Sequence, residues 1–185
     1  MAWQLDTAHS QVEFAVKHMM VTTVRGRFKK FSGTVDLNEQ QPEQSRVAVA
    51  VDVASLDTGE ERRDGHLRSP DFFDVAQYPA LFYKSTKVER LGEDQYRVTG
   101  DLTIRDVTRE VPLVVTLEGP HRDMQGQRRA GFALTGSINR KDFGLNWNVA
   151  LEAGGWLVGD TVKLLIDAEV FEPVTAPVEA IVQRT

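Results

Sequence analysis

The chain has 185 residues, 41% of them apolar, no cysteine, and 22 basic against 27 acidic side chains for a formal charge of −5. That length suits one domain with a substantial core, and the missing cysteines exclude disulfides, iron–sulfur clusters, thiolate zinc sites and cysteine nucleophiles. The acidic balance argues against nucleic acid as a partner, because its binders cluster Lys and Arg to displace counterions.

The opening Met1-Ala2-Trp3-Gln4-Leu5-Asp6 has neither a basic n-region nor an apolar h-region. It does not read as a secretory signal, so a cytoplasmic protein is expected, or a periplasmic one if a signal has been removed. No run of residues approaches the ~20 apolar side chains of a transmembrane helix.

The apolar period is mostly two, the signature of half-buried strands. Val12, Phe14, Val16 and His18 alternate with polar neighbours, and Val24, Gly26 and Phe28 do the same. After Lys29-Lys30 the phase moves to Phe31, Gly33 and Val35, which predicts a β-bulge. Val47, Val49, Val51 and Val53 form the third run. Thr58-Gly59-Glu60-Glu61 then fits a capping box with Thr58 as N-cap, and Ser69-Pro70-Asp71 a second N-cap with proline at the first helical position. Two short helices are therefore expected before Tyr78-Pro79. They are either a decorated connection or a flap that turns Phe72 and Phe73 inward as a stopper.

Further runs follow over 81–88, 96–104, 111–117, 132–138 and 162–170, about eight strands in all. The turns between them are short, so neighbours are antiparallel. Long alternating strands favour a closed barrel over a sandwich, because closure removes exposed edges. The fold class is all-β: an eight-stranded antiparallel barrel, residues 1–172, with a short helical insertion between strands three and four. Residues 173–185 read as an extended C-terminal tail.

Few residues suggest bond-making chemistry. His9, His18, His66 and His121 share no ligand spacing, so no metal is expected. Asp6, His9 and Ser10, or Asp64, His66 and Ser69, contain the residue types of a triad. Each set also fits turn or cap hydrogen bonds, and no Gly-x-Ser-x-Gly elbow or phosphate loop is present. Arg25, Arg27 and Lys29 form a basic stripe that is either solvated or meets an anionic lipid head group. What remains is apolar volume. An eight-stranded barrel has an interior that side chains just fill or that holds one small ligand. Inward Gly26, Gly33, Gly100 and Gly136 would leave room there, although glycines at bends of a curled sheet give the same pattern.

Several motifs resemble the YceI-like family. They begin with Trp3-x-Leu5-Asp6-x-x-His9-Ser10-x-Val12-x-Phe14-x-Val16-x-His18, Gly26-x-Phe28 and Phe31-x-Gly33. Arg63-Asp64-x-His66-Leu67-x-Ser69-x-Asp71-Phe72-Phe73-Asp74 and Tyr78-Pro79 continue the match. It ends with Gly100-x-Leu102-Thr103-Ile104-Arg105, Arg140-x-Asp142-Phe143-Gly144 and Val158-Gly159-Asp160. The resemblance implies a lipocalin-like barrel whose tunnel holds a polyisoprenoid or an isoprenoid quinone, in a protein that is often dimeric and often exported. The chain departs from the pattern at Asp106, where a glycine is common, and in lacking the signal.

On this reading the ligand wall comprises Phe14, Val16, Phe28, Val51, Phe82, Leu102, Ile104, Leu134 and Ile138. Phe72, Phe73 and Trp147 lie at the ends, and His18 meets a polar head group. No cofactor is expected beyond the bound amphiphilic lipid, no catalytic residue is assigned, and a homodimer is expected. Two alternatives stand beside this: an enzyme using His18 or His66 as general base on a small hydrophobic substrate, and a stress-response protein with a filled barrel.

Overall fold

The computed structural model describes residues 2–173. In chain order the strands are β1 (Ala2–His18), β2 (Thr22–Phe28), β3 (Phe31–Asp36), β4 (Arg46–Asp52) and β5 (Leu56–Asp57). Helix α1 (Glu61–Arg68) precedes β6 (Ala80–Arg90), β7 (Gln95–Ile104), β8 (Val107–Arg122), β9 (Arg128–Asn139) and β10 (Val158–Phe171). Consecutive neighbours from β6 to β10 pair antiparallel, and β10 pairs with β1 to close the sheet. β2 and β3 lie end to end along β1: Val12 faces Phe28, and Ala2 faces Asp36. They share one position in the wall, which gives an eight-stranded antiparallel barrel with a single helix, as expected.

The junction at Lys29-Lys30 is a break, not the predicted bulge. There the chain leaves the β1 ladder and takes partners from the segment after β4: Lys29 N donates to Ser55 O, Lys30 N to Ser55 Oγ, and Asp52 N to Lys30 O. The helical insertion also differs from expectation. The N-cap is Glu60, whose carboxylate accepts from Arg62 N at 3.0 Å and Arg63 N at 2.7 Å. Thr58 instead donates to the buried carboxylate of Asp64 and accepts from Arg63 Nε, anchoring the helix to the chain before it. Ser69 closes α1 as its C-cap and starts no second helix; residues 70–77 are turns. The tail predicted from 173 lies, from residue 174, outside the described residues.

Alternation is clearest in β7, where Tyr96, Val98, Leu102 and Ile104 are buried while Gln95, Arg97 and Asp101 are exposed. Apolar inside and charged outside is the reverse of a transmembrane barrel, and no described helix is long and apolar enough to cross a membrane.

The closing seam carries a polar clasp. β1 bulges between Asp6 and Gln11. Ser10 Oγ there donates to Asp6 O and accepts from Glu169 N, and Asp6 Oδ1 accepts from Ala8 N and His9 N. These are the turn bonds foreseen for Asp6, His9 and Ser10; the serine hydroxyl does not reach the histidine ring, so this triad reading fails. The Arg129 guanidinium joins Asp6, Asp123 and Glu169, drawing together β1, β9, β10 and the β8–β9 turn.

Asp6 and Asp123 are held below the ordinary carboxylate range, Asp6 chiefly by the His9 hydrogen bond and Asp123 chiefly by Arg129. Lowered folded values add stability that is complete above the unfolded value of about 3.9 and disappears as pH falls through the folded values. Resistance to denaturant should therefore fall on acidification below about pH 4, and Arg129→Gln should flatten that acid limb. An acid limb unchanged by Arg129→Gln would show that the clasp is not its cause.

Candidate functional site

The inward faces of the strands enclose one cavity of about 310 Å³ with an almost wholly apolar wall. This lies at the small end of the ~300–1,000 Å³ range of ligand pockets. Its lining runs from Leu5, Leu37 and Pro42 at one end to Phe72, Leu145 and Val158 at the other. An 11-residue strand such as β6 at ~3.3 Å per residue and ~40° tilt rises about 28 Å. The space is therefore long and narrow.

Ten of the predicted positions line it: Phe14, Val16, Phe28, Val51, Phe72, Phe73, Leu102, Ile104, Leu134 and Ile138. Three do not. Phe82 is 51% exposed on the outer wall. Leu81 and Tyr83 point inward, but the register slips between Ser85 and Lys87. That bulge reverses the phase before inward-facing Val88, so Phe82 and Val88 share parity in the sequence and opposite faces in the sheet. His18 sits beyond the wall at the end of β1, and its imidazole has no polar partner among the described residues. It is not part of the cavity wall, and no carboxylate or hydroxyl among the described residues positions it as a base. Trp147 lies outside the lining but does cap the end, with its ring 5.5 Å from Phe72 and 4.5 Å from His66.

The sequence reading passed over Val111, Leu113 and Val115 of β8 and Val162, Leu164 and Ile166 of β10. Their period-two spacing is as plain as that of the residues chosen. It also left out Tyr83 and Arg140, which only tertiary contacts reveal. The four inward glycines do not simply leave room. The Phe14 ring lies where a Gly26 side chain would be, and a Cβ on Gly100 would come within 2.5 Å of the Tyr83 ring. Leu113 covers Gly136 in the same way, at 2.6 Å. Large cross-strand side chains thus lie flat against the wall and keep the tunnel slim.

Two polar residues of the lining, Tyr83 and Arg140, are already engaged. Tyr83 OH lies 3.2 Å from Val98 O and 3.1 Å from Val111 O, and burial pushes the phenol well above its ordinary value, so it stays neutral. Arg140 is only 3% exposed and donates to the carbonyls of Leu145, Trp147, Val158 and Gly159. Burial lowers the pKa of its guanidinium, while Asp160 at 3.6 Å acts in the opposite direction. These four bonds fold the 144–158 loop over the end of the barrel.

The flap closes against that loop. Phe72 is buried, Phe73 meets Phe28 edge-on at 6.0 Å, and Arg105 Nη1 donates to Phe72 O. Arg105 itself adopts φ +57° in the two-residue turn between Ile104 and Val107. His66 Nε2 is 2.8 Å from Asp71 Oδ2, with its ring edge-on to Phe72 and Trp147. Asp71 is its sole polar partner among the described residues, Asp64 is bound to Thr58, and Ser69 Oγ donates to His66 O. No nucleophile–base pair forms, so the second triad reading fails too. Asp6, His9 and Glu169 approach closely enough to hold a cation, yet Arg129 already supplies the positive charge to both carboxylates.

Fold and cavity together define a lipocalin-like barrel with an apolar tunnel, a capped end and no assembled catalytic group among the described residues. Residues 3–170 match the model of the YceI-like domain, and the chain belongs to that family. A UPF0312 protein of Photorhabdus laumondii is 42% identical over 135 residues, 73% of this chain and 70% of that one. A second from Staphylococcus epidermidis is 35% identical over 168 residues, 90% of this chain and 95% of the relative. Among solved structures, Burkholderia cenocepacia BcnA superposes with a TM-score of 0.78 at 27% identity, covering 89% of this chain and 98% of BcnA. A polyisoprenoid binding domain from Saccharophagus degradans superposes at 0.67 and 18% identity, covering 92% and 98%, a likeness of fold.

The two ring contacts of Trp147 are each worth about 0.5–1.5 kcal/mol. Trp147→Ala should speed amide exchange across residues 61–77 while leaving β7 and β8 protected, measured by hydrogen–deuterium exchange. Equal loss of protection in the strands would mean that the ring supports the whole barrel instead of the flap.

Proposed function

We propose that the protein binds an isoprenoid lipid, a polyisoprenoid or an isoprenoid quinone, in the barrel tunnel and sequesters or carries it without chemical change. The observation that carries this reading is the cavity with an almost wholly apolar wall, in which Tyr83 and Arg140 are spent on the protein's own backbone. Such a wall offers a ligand burial and little else, at about 0.8 kcal/mol per CH₂ or ~4 kcal/mol per five-carbon unit. A long apolar chain gains most from that arrangement, and the slender bore suits an unbranched or methyl-branched thread. The structural neighbour described as a polyisoprenoid binding domain supports the same ligand class. The alternative of a filled barrel sits poorly with the cavity, and catalysis sits poorly with an unpartnered His18 and with a His66 whose sole polar partner among the described residues is Asp71.

Native mass spectrometry and solvent extraction of the purified full chain should recover an isoprenoid lipid at near-stoichiometric amount. Leu164→Trp, which projects into the cavity from a half-buried position, should cut the recovered lipid at least about tenfold, a loss of ~1.4 kcal/mol in binding. Its thermal midpoint should stay near the parent value. Protein that is empty under every growth condition, or lipid content unaffected by Leu164→Trp, would falsify the proposal.

A further inference from the structure

We infer that the barrel end formed by the β1–β2 hairpin and the 149–157 loop docks on an anionic lipid bilayer, an inference that rests on the lipid-binding reading above. Among the described residues, five of the nine exposed large apolar side chains gather there: Met19, Met20, Val21, Val149 and Trp156. Within this group Met20 and Val21 are the most open, at 67% and 76% exposed. The other four, Phe82, Leu91, Val114 and Met124, are dispersed over the outer wall and the opposite end. Scattered apolar side chains need no explanation, whereas a concentration at one end does.

The two segments form one surface. Met19 N donates to Leu157 O at 2.8 Å, and the Met20 thioether lies over Gly155, where a Cβ would collide with it. Three cations flank this tip. Lys17 and Arg25 are exposed and have no ion-pair partner among the described residues. Lys141 lies 6.0 Å from the Trp156 ring and shares Asp160. Farther from the tip, Arg27 and Lys29 both lie 3.5 Å from Asp57. The nearby carboxylates are Asp142, Asp160 and Glu152. An apolar tip flanked by flexible cations suits a bilayer interface: methionine, valine and tryptophan enter the head-group boundary while the cations reach phosphates.

The charge pattern also chooses among occupants. Lys17 and Arg25 have no carboxylate partner among the described residues, and an anionic surface would supply a partner to both at once. The location fits delivery as well, because cavity-lining Val16 and Val158 lie just behind the tip. A lipid leaving the tunnel at this end would enter the membrane without crossing water.

The test is flotation of the purified full chain with vesicles of phosphatidylcholine alone or mixed with phosphatidylglycerol. Binding should require phosphatidylglycerol and weaken with salt. Val21→Asp and Met20→Ser should each reduce it roughly tenfold, and Lys17→Gln with Arg25→Gln by about fivefold per charge removed. Met124→Asp, at the far end, should leave it unchanged. Val21→Asp that loses flotation but keeps its extracted isoprenoid supports docking independently of cavity occupancy. Wild-type protein that floats but yields no isoprenoid supports docking and removes the carrier reading. Absence of flotation, binding indifferent to Val21→Asp, or light scattering in which Val21→Asp only splits a dimer would overturn the inference.

Discussion

Closure of the sheet by the β1–β10 ladder is the constraint on which everything else depends. The ladder runs from Gln4 facing Phe171 to His18 facing Val158, and it removes the two long edges that an open sheet of these strands would expose. It also compels the inward side chains of eight strands to share one column. In a barrel of that circumference the column is nearly filled by side chains, so any guest must be thin. The Arg129 clasp lies on this seam, where the β1 bulge would otherwise leave polar groups unpaired.

The interior is made greasy by self-sufficiency as much as by composition. Tyr83 bonds to backbone carbonyls of the wall, and Arg140 bonds to carbonyls of the capping loop and of the first residues of β10. Neither is left to address a ligand. A polar head group consequently belongs at an end of the tunnel, and the two ends are built differently. Trp3, Leu37, Ala130 and Val170 pack one of them into a small core of its own. The other is covered by two chain segments, the flap after α1 and the 144–158 loop, which meet through the rings of His66, Phe72 and Trp147. Two segments outside the barrel wall cover one end, and a packed apolar base closes the other.

Period-two alternation made most of the wall legible in advance, because a side chain's face follows directly from its parity within an uninterrupted strand. β7 obeys this from end to end. The errors fall where the ladder is interrupted. At Lys29-Lys30 the phase change was visible, yet a bulge and a break leave the same trace in sequence; only the bonds to Ser55 and Asp52 separate them. At Phe82 the bulge between Ser85 and Lys87 had no local signature, so parity carried across it gave the wrong face. Thr58 and Glu60 are both competent caps, and the buried Asp64 carboxylate claimed Thr58.

By itself, then, the sequence determined the strand set, the antiparallel order, most of the apolar lining and the family, since each of these rests on short-range spacing or ordered motifs. The tertiary structure decided which runs share one wall position, that the glycines are roofed by Phe14, Tyr83 and Leu113, that a cavity survives between the packed faces, and that Arg140 holds the loop at the capped end. Those outcomes depend on how side chains from strands far apart in the chain divide a fixed interior volume, and on which of several competent partners stands nearest. Neither quantity is encoded in the periodicity of any one segment.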